Sequence, residues 1–319
     1  MSRGPSSVAL TLGGSSVAAL GLSSYTGGGQ SLVYAFLVSM SMQFVMFLHA
    51  SGLVLGNAPT ERYYDLTGST TYVVLSLLSL YWNWDNFSLR RGILSSLVLA
   101  WALRLGSFLF ERITRDGGID HRFTEAKKSP YRFAIFWILQ GLWVFLTAFP
   151  VLLVQSLQPG KNHKASLVPL DYLGLFIWAA GFGLEVVADN QKKIFRMNPK
   201  NKNKFIHTGV WSISRHPNYF GEISLWIGVF LVCINEFTSK NQYAAILSPV
   251  FVACLLIFVS GVPLLEKSSD RKFGHLKEYK DYKENTSVLV PYPHLIFTLS
   301  VLLIAIALLF QKTLLISEL

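Results

Sequence analysis

The chain has 319 residues, 51% of them hydrophobic and 14% charged, with 28 Lys and Arg against 18 Asp and Glu, for a formal net charge of +10. A mean hydropathy of +0.41 excludes an ordinary soluble domain of this length and predicts an all-α, polytopic membrane helix bundle. The basic excess is concentrated between apolar runs, which reads first as membrane orientation, and no nucleic-acid partner is expected.

Residues 1–30 are rich in Gly and Ser and carry Arg3 as their only charge, so they are expected to be a flexible or targeting tail. Apolar runs of spanning length then follow near 31–55, 69–83, 92–110, 133–155, 168–188, 218–235 and 244–264. These seven form the expected core, residues 31–293, and an eighth run at 294–311 makes 294–319 an additional C-terminal helix and tail. Arg104, Gln140, Glu185 and Glu222 interrupt the runs, which implies helices packed around a polar interior.

Lys and Arg gather in the segments after the third, fifth and seventh runs, which are therefore expected on the cytosolic side. Arg90 and Arg91, after the second run, dissent from that pattern. Cys233 and Cys254 both fall in apolar runs, with no spacing that suggests a metal; they are expected to be packing residues, with no disulfide.

Three short stretches carry chemistry. In WALRLGSFLFERITRDGG, Arg104, Phe108 and Arg112 share one helical face and Arg115 follows at the rim. Such guanidinium groups serve as phosphate forks or as ordinary anchors, and Arg104 lies deeper than anchoring requires. In GLEVVADNQKKIF, Glu185 and Asp189 are an i, i+4 acidic pair that needs a bridging ligand or, for Asp189, neutralisation by Lys192 and Lys193. In SRHPNYFGEISLWIG, Pro217 suits a first helical turn, and Asn218, Glu222 and Trp226 then stack on one face. A carboxylate at Glu222 costs roughly 2 to 3 kcal/mol in a membrane unless it faces a cavity or a cation. It is either a ligand residue or one half of an ion pair with Arg104 or Arg112.

With HTGVWSISRHPNYFGEISLWIG and GVPLLEKSSDRKFGHLKEYKDYKENTSVLVP following GLEVVADNQKKIF, the chain resembles the C-terminal half of the steroid 5-alpha-reductase superfamily, in its poorly characterised branch. The resemblance covers roughly residues 60–293 and is strongest from 171 onward. It implies a seven-helix membrane bundle that binds NADPH from the cytosolic side and reduces a carbon–carbon double bond of a lipid-like substrate: a steroid, sterol, polyprenyl lipid or fatty-acyl chain. It implies cofactor roles for Asn218 and Glu222, for Glu185 and Asp189, for Arg104, Arg112 and Arg115, and for Lys204, Arg215 and His216. The C-terminal stretch adds Arg271, Tyr279 and Tyr282, with His275 between them. Asp65 and Tyr64 are the expected catalytic, substrate-side residues, and Trp101 stands where the superfamily has a tyrosine.

The RHP-x-Y-x-G signature is shared with isoprenylcysteine carboxyl methyltransferases, so an S-adenosylmethionine-dependent methyltransferase is the alternative. A non-enzymatic scaffold is a third reading, which leaves the clustered polar residues unexplained. Glu222 and the basic ring favour the reductase, because S-adenosylmethionine is cationic. Membrane lipids and the lipid-like substrate are the expected partners, and no protein partner or metal is inferred. The endoplasmic reticulum membrane is expected for a eukaryotic source and the plasma membrane for a bacterial one.

Overall fold

The computed structural model describes residues 4–158 and 166–291. Among them the chain is all-helical, with no strand, and forms a polytopic membrane bundle. The expected eighth run at 294–311 lies outside the described residues.

Ten α-helices succeed one another: α1 Pro5–Thr26, α2 Gly29–Ala50, α3 Tyr64–Trp82, α4 Leu89–Arg115, α5 Pro130–Ser156, α6 Pro169–Met197, α7 Pro217–Ile234, α8 Leu247–Cys254, α9 Val262–Phe273 and α10 Lys277–Asn285. Seven stretches are long and apolar enough to cross a membrane: α1, α2, α4, α5, α6, α7 and the run Lys240–Phe273. This corrects two expectations. The presumed flexible tail is the 22-residue helix α1, which buries Ser15, Ala19, Ser23 and Thr26. Conversely the run at 69–83, within α3, is not among the seven. Its interior face is polar, with Thr67, Ser69, Thr71, Tyr72, Ser76 and Ser79 all buried. The hydroxyls of Thr67, Ser69 and Thr71 donate back to carbonyls one turn earlier, so these three groups are satisfied within the helix.

The chain divides into two compact units. The first comprises Met1–Phe176 with Trp226–Val252. Helix α5 is its centre: 72% of its most apolar stretch is buried, and α1, α2, α3 and α4 all pack on it. Tyr72, Trp101 and Trp226 form an interlocked aromatic core, with Tyr72 and Trp226 lying 5.0 and 5.1 Å from Trp101 between ring centroids. Glycines allow close approach within this unit: a Cβ on Gly174 would lie 2.8 Å from the Gly228 carbonyl oxygen, so α6 and α7 touch backbone to backbone there.

One end of this unit is pinned by charge. Arg90, 1% exposed, grips Asp171 with a two-pronged fork (Nε to Oδ1 2.9 Å, Nη2 to Oδ2 2.8 Å) and donates Nη1 to Glu236 at 2.8 Å. Asn235 donates to the same Asp171 at 2.8 Å. Arg91 donates to the Leu157 carbonyl at 2.7 Å, while Gln155 donates to the Arg91 carbonyl at 3.0 Å. The two arginines that disturbed the charge pattern are therefore structural. They join the starts of α4 and α6 to the ends of α5 and α7.

The second unit comprises Ile177–Leu225 with Ala253–Leu319. Within the run Lys240–Phe273, a π-helical turn at Leu255–Val259 precedes a break at Ser260 and Gly261, after which α9 starts with Pro263 in its first turn. A side chain on Gly261 would strike the Leu256 carbonyl at 2.3 Å, so the break requires glycine. Cys233 is buried in the first unit, whereas Cys254 is exposed and is not the packing residue expected of it.

Replacing Arg90 by Met leaves Asp171 and Glu236 buried without their main partner and is expected to lower stability by about 3 to 5 kcal/mol. The double variant Arg90→Met with Asp171→Leu should lose much less than the sum of the single variants. Thermal unfolding of the four proteins in detergent measures that coupling. Single cysteines placed at Lys200 and Gly274 are expected to react with an impermeant thiol reagent from one and the same side of the membrane. Labelling of Lys200 and Gly274 from different sides would refute the topology.

Candidate functional site

The chemistry-bearing residues of the second unit lie where α6 approaches the start of α7. A Cβ on Gly181 would come within 2.6 Å of the Gly221 carbonyl, and one on Gly221 within 2.5 Å of the Gly181 carbonyl, so no side chain separates the two helices there. That contact brings two sequence signals together. Asn218 Nδ2 donates to Asp189 Oδ1 at 3.1 Å, with Asp189 buried and Glu185 buried one turn earlier on α6. Asn218 Oδ1 is buried with no hydrogen-bond partner among the described residues. Glu222 is half-buried one turn along α7. Asp189 thus meets Asn218, and Lys192, invoked to neutralise it, has its ammonium 4.5 Å above the Trp211 ring.

A cavity of about 750 Å³ is lined by Lys192 and His216, three and two positions from this pair in sequence, but not by Glu185, Asp189, Asn218 or Glu222 themselves. The end of α6, the turn at 201–206, the 3-10 segment Gly209–Ser212, α9 and α10 wall it. Lys204, Arg215, His216, His275, Tyr279 and Tyr282 line it. The lining also contains Lys192, Arg196, Lys202 and Lys272, and the rings of Phe205 and Trp211. Arg271 is exposed on α9 and does not line the cavity.

Glu266 is the only acid in the lining, and the sequence reading missed it. Its carboxylate meets Arg215 at 3.3 Å, His216 Nε2 at 2.9 Å and Lys283 at 3.1 Å. The available signal was an acid one turn into an amphipathic helix beginning VPLLEKSS, facing the SRHP segment. Burial pushes the His216 imidazole below its ordinary pKa, against the opposing pull of Glu266 and with the help of the Lys192 and Arg215 charges. Neutral His216 then gives its Nε2 hydrogen to Glu266 and presents Nδ1, which is buried without a hydrogen-bond partner among the described residues.

The wall carrying His216 is tied down by backbone contacts. Arg215 N–H donates to the Ser287 carbonyl at 2.9 Å, Ser214 Oγ to the Leu289 carbonyl at 2.7 Å, and Tyr282 Oη to the Trp211 carbonyl at 2.6 Å. Burial pushes the Tyr282 phenol up to about 12, so it remains a donor. Tyr279 donates to Asp270 at 2.9 Å and Lys283 reaches the same carboxylate at 2.7 Å, fastening α10 to α9.

The remaining expected residues belong to the first unit. Arg104 is half-buried with its guanidinium 5.2 Å above the Phe108 ring. Arg112 pairs with Asp65 at 3.2 Å, and Arg115 with exposed Glu111 at 3.8 Å. Tyr64 donates to the Phe136 carbonyl at 2.9 Å, and Asp65 also meets Arg122 at 3.3 Å.

No solved structure matches the chain. A stretch of 46 residues is 44% identical to the "Probable O-methyltransferase ustE" of Ustilaginoidea virens, covering 14% of this chain and 16% of that protein. The chain thus spans about a sixth of the length of that curated relative. The family model described as "Protein of unknown function (DUF1295)" matches residues 54–286. The chain therefore belongs to the DUF1295 family, steroid 5-alpha-reductase-like membrane proteins.

Proposed function

We propose that the second unit binds NADPH and that the protein is a membrane-embedded reductase acting on a carbon–carbon double bond of a lipid-like substrate. The observation that carries this reading is the charge of the cavity. Six Lys and Arg side chains line it against one acid, Glu266, which is already matched by three cationic or hydrogen-bonding partners. The surplus positive charge suits a polyanion, and the aromatic walls suit a stacked base.

The residues present fit such a dinucleotide. Lys202, Lys204 and Lys272 are exposed at the cavity and available to phosphates. Asn218 Oδ1 and His216 Nδ1 are buried acceptors without partners among the described residues, which a carboxamide, an amine or a ribose hydroxyl would satisfy. Asp189 fixes the Asn218 amide so that its oxygen is the free end, and Glu185 and Glu222 complete an acidic and amide face. Bound NADPH would supply the hydride. Tyr64 and Asp65 are proposed to hold the substrate's polar end, which requires Tyr64 to exchange its bond to the Phe136 carbonyl, and Asp65 one of its arginine pairs, for the substrate. The cofactor face is proposed to be cytosolic.

The methyltransferase alternative is favoured by the match to ustE. Its cofactor has no phosphate and carries a positive charge, so ligand choice separates the readings. Titration of the purified protein should show NADPH binding that weakens with added salt, because the lysines are exposed. Lys204→Ala with Lys272→Ala should raise the Kd for NADPH roughly tenfold, about 1.4 kcal/mol, within the range for charge-assisted hydrogen bonds. Preferential binding of S-adenosylmethionine, indifferent to both lysines, would instead support the methyltransferase.

The depressed His216 pKa has a signed consequence. The folded state binds fewer protons than the unfolded chain below about pH 6.5, so this stability is complete above that value and is lost as pH falls through the lower folded value. Thermal stability of the wild type should fall over that acid window, and His216→Gln should flatten the fall. An identical acid profile in both proteins would show that His216 does not titrate as described.

A further inference from the structure

The first unit contains a feature that the nucleotide reading does not use. Residues 117–129, between α4 and α5, cross the end of the bundle as a strap. It begins at two consecutive glycines in the left-handed region, Gly117 (φ 72°) and Gly118 (φ 79°). One such residue suffices to end a helix, and Gly118 N–H already closes α4 on the Ile113 carbonyl at 2.7 Å. The second gives the strap a pivot.

The strap is held chiefly through Phe123 and Ala126, which are buried in a core cluster with Phe47, Ala50, Phe133 and Trp137, while Arg122, Thr124, Glu125 and Lys128 are exposed. Phe123 plugs an aromatic ring set, 4.6 Å from Tyr64 and 5.1 Å from Phe136 between centroids. The polar fastenings are Asp120 N–H to buried Glu61 at 2.8 Å, Lys127 to Glu61, and Arg122 to Asp120 at 2.6 Å and to Asp65 at 3.3 Å. Arg122 is 49% exposed at its side chain, so its pairs are weak fastenings. Asp120 keeps a lowered pKa despite its burial because Arg122 bonds it.

Trp137 belongs to the same core cluster as Phe123. Trp137 packs on Tyr64 and Phe133 at 5.1 and 5.9 Å, and Gln140 donates Nε2 to the Tyr64 carbonyl at 2.9 Å. Trp137 and Gln140 are 1% and 4% exposed, yet Trp137 Nε1 and Gln140 Oε1 have no hydrogen-bond partner among the described residues. Here a closed strap keeps a neutral donor and a neutral acceptor dry, which favours an opened state that satisfies them.

We propose that the 117–129 strap swings on Gly117–Gly118, withdrawing Phe123, and that the opened state receives the uncharged hydroxyl head of an amphiphile between Trp137 Nε1 and Gln140 Oε1. A hydroxyl both accepts and donates, matching the pair, whereas a carboxylate would find the single indole donor and be repelled by the amide oxygen. The inference is independent of the nucleotide cavity.

Amide hydrogen exchange of the full-length protein in detergent reads the open population directly. Titration with n-dodecanol should raise exchange at the Asp120 amide, whose bond to Glu61 ties the strap to the rest of the unit, whereas dodecanoate or dodecane at equal concentration should not. Trp137→Phe and Gln140→Leu should each raise the half-saturating dodecanol concentration about fivefold, the loss of one hydrogen bond. Arg122→Ala should raise basal strap exchange about two- to fivefold without changing the preference for the alcohol. Equal responses to alcohol and carboxylate, no response to alcohol, or an alcohol response untouched by both Trp137→Phe and Gln140→Leu would overturn the proposal. The comparison of the three ligands on wild-type protein decides the matter even if a variant fails to fold.

Discussion

The ion cluster of Arg90 with Asp171 and Glu236 is the constraint on which the first unit rests. A fully buried guanidinium is tolerable only if every prong has an acceptor, and here two carboxylates and a backbone carbonyl supply them. The partners come from the start of α4, the start of α6 and the end of α7, so satisfying one charge fixes three helix ends. Gln155 and Arg91 extend the same arrangement to the end of α5. The polar inner face of α3 becomes acceptable within that frame, because the Thr67 and Thr71 hydroxyls bond within their own helix.

The second unit is organised differently. The backbone contact at Gly181 and Gly221 sets α6 against α7, and residues 282–289 are joined to the 211–215 segment by hydrogen bonds to main-chain carbonyls. Glu266 then gathers Arg215, His216 and Lys283, so the cavity wall is held by its own counter-charge. Lys202, Lys204 and Lys272 are instead exposed at the cavity. This division separates structural from available charge in a region where composition alone shows a uniform basic excess.

Sequence periodicity revealed the helical membrane class, the α7 face bearing Asn218 and Glu222, and the acidic α6 end. It did so because Pro217 marks a helix start and because charged residues stand out in apolar runs. It did not reveal that Asp189 meets Asn218, since partner choice across helices depends on the depth of the Gly181 contact. Helix α1 was hidden by its Gly and Ser content, which resembles a linker when neighbours are ignored. Arg90 and Arg91 looked like loop charges, because their acceptors lie far along the chain. Glu266 was overlooked among the many charges of α9, where burial rather than identity distinguishes it.

The spacing of the Arg90 cluster also bears on biogenesis. Arg90 and Glu236 are 146 positions apart, which at about 5 to 20 residues per second corresponds to roughly 7 to 30 s of synthesis. During that interval α4 has been made, but the full set of counter-charges for its first turn has not. Asp171 arrives partway and Glu236 last, so this end of the first unit closes only when α7 has emerged. Until then the early helices remain open to surveillance by membrane chaperones and proteases, and a truncated chain ending before Glu236 exposes a buried cation that the finished protein conceals.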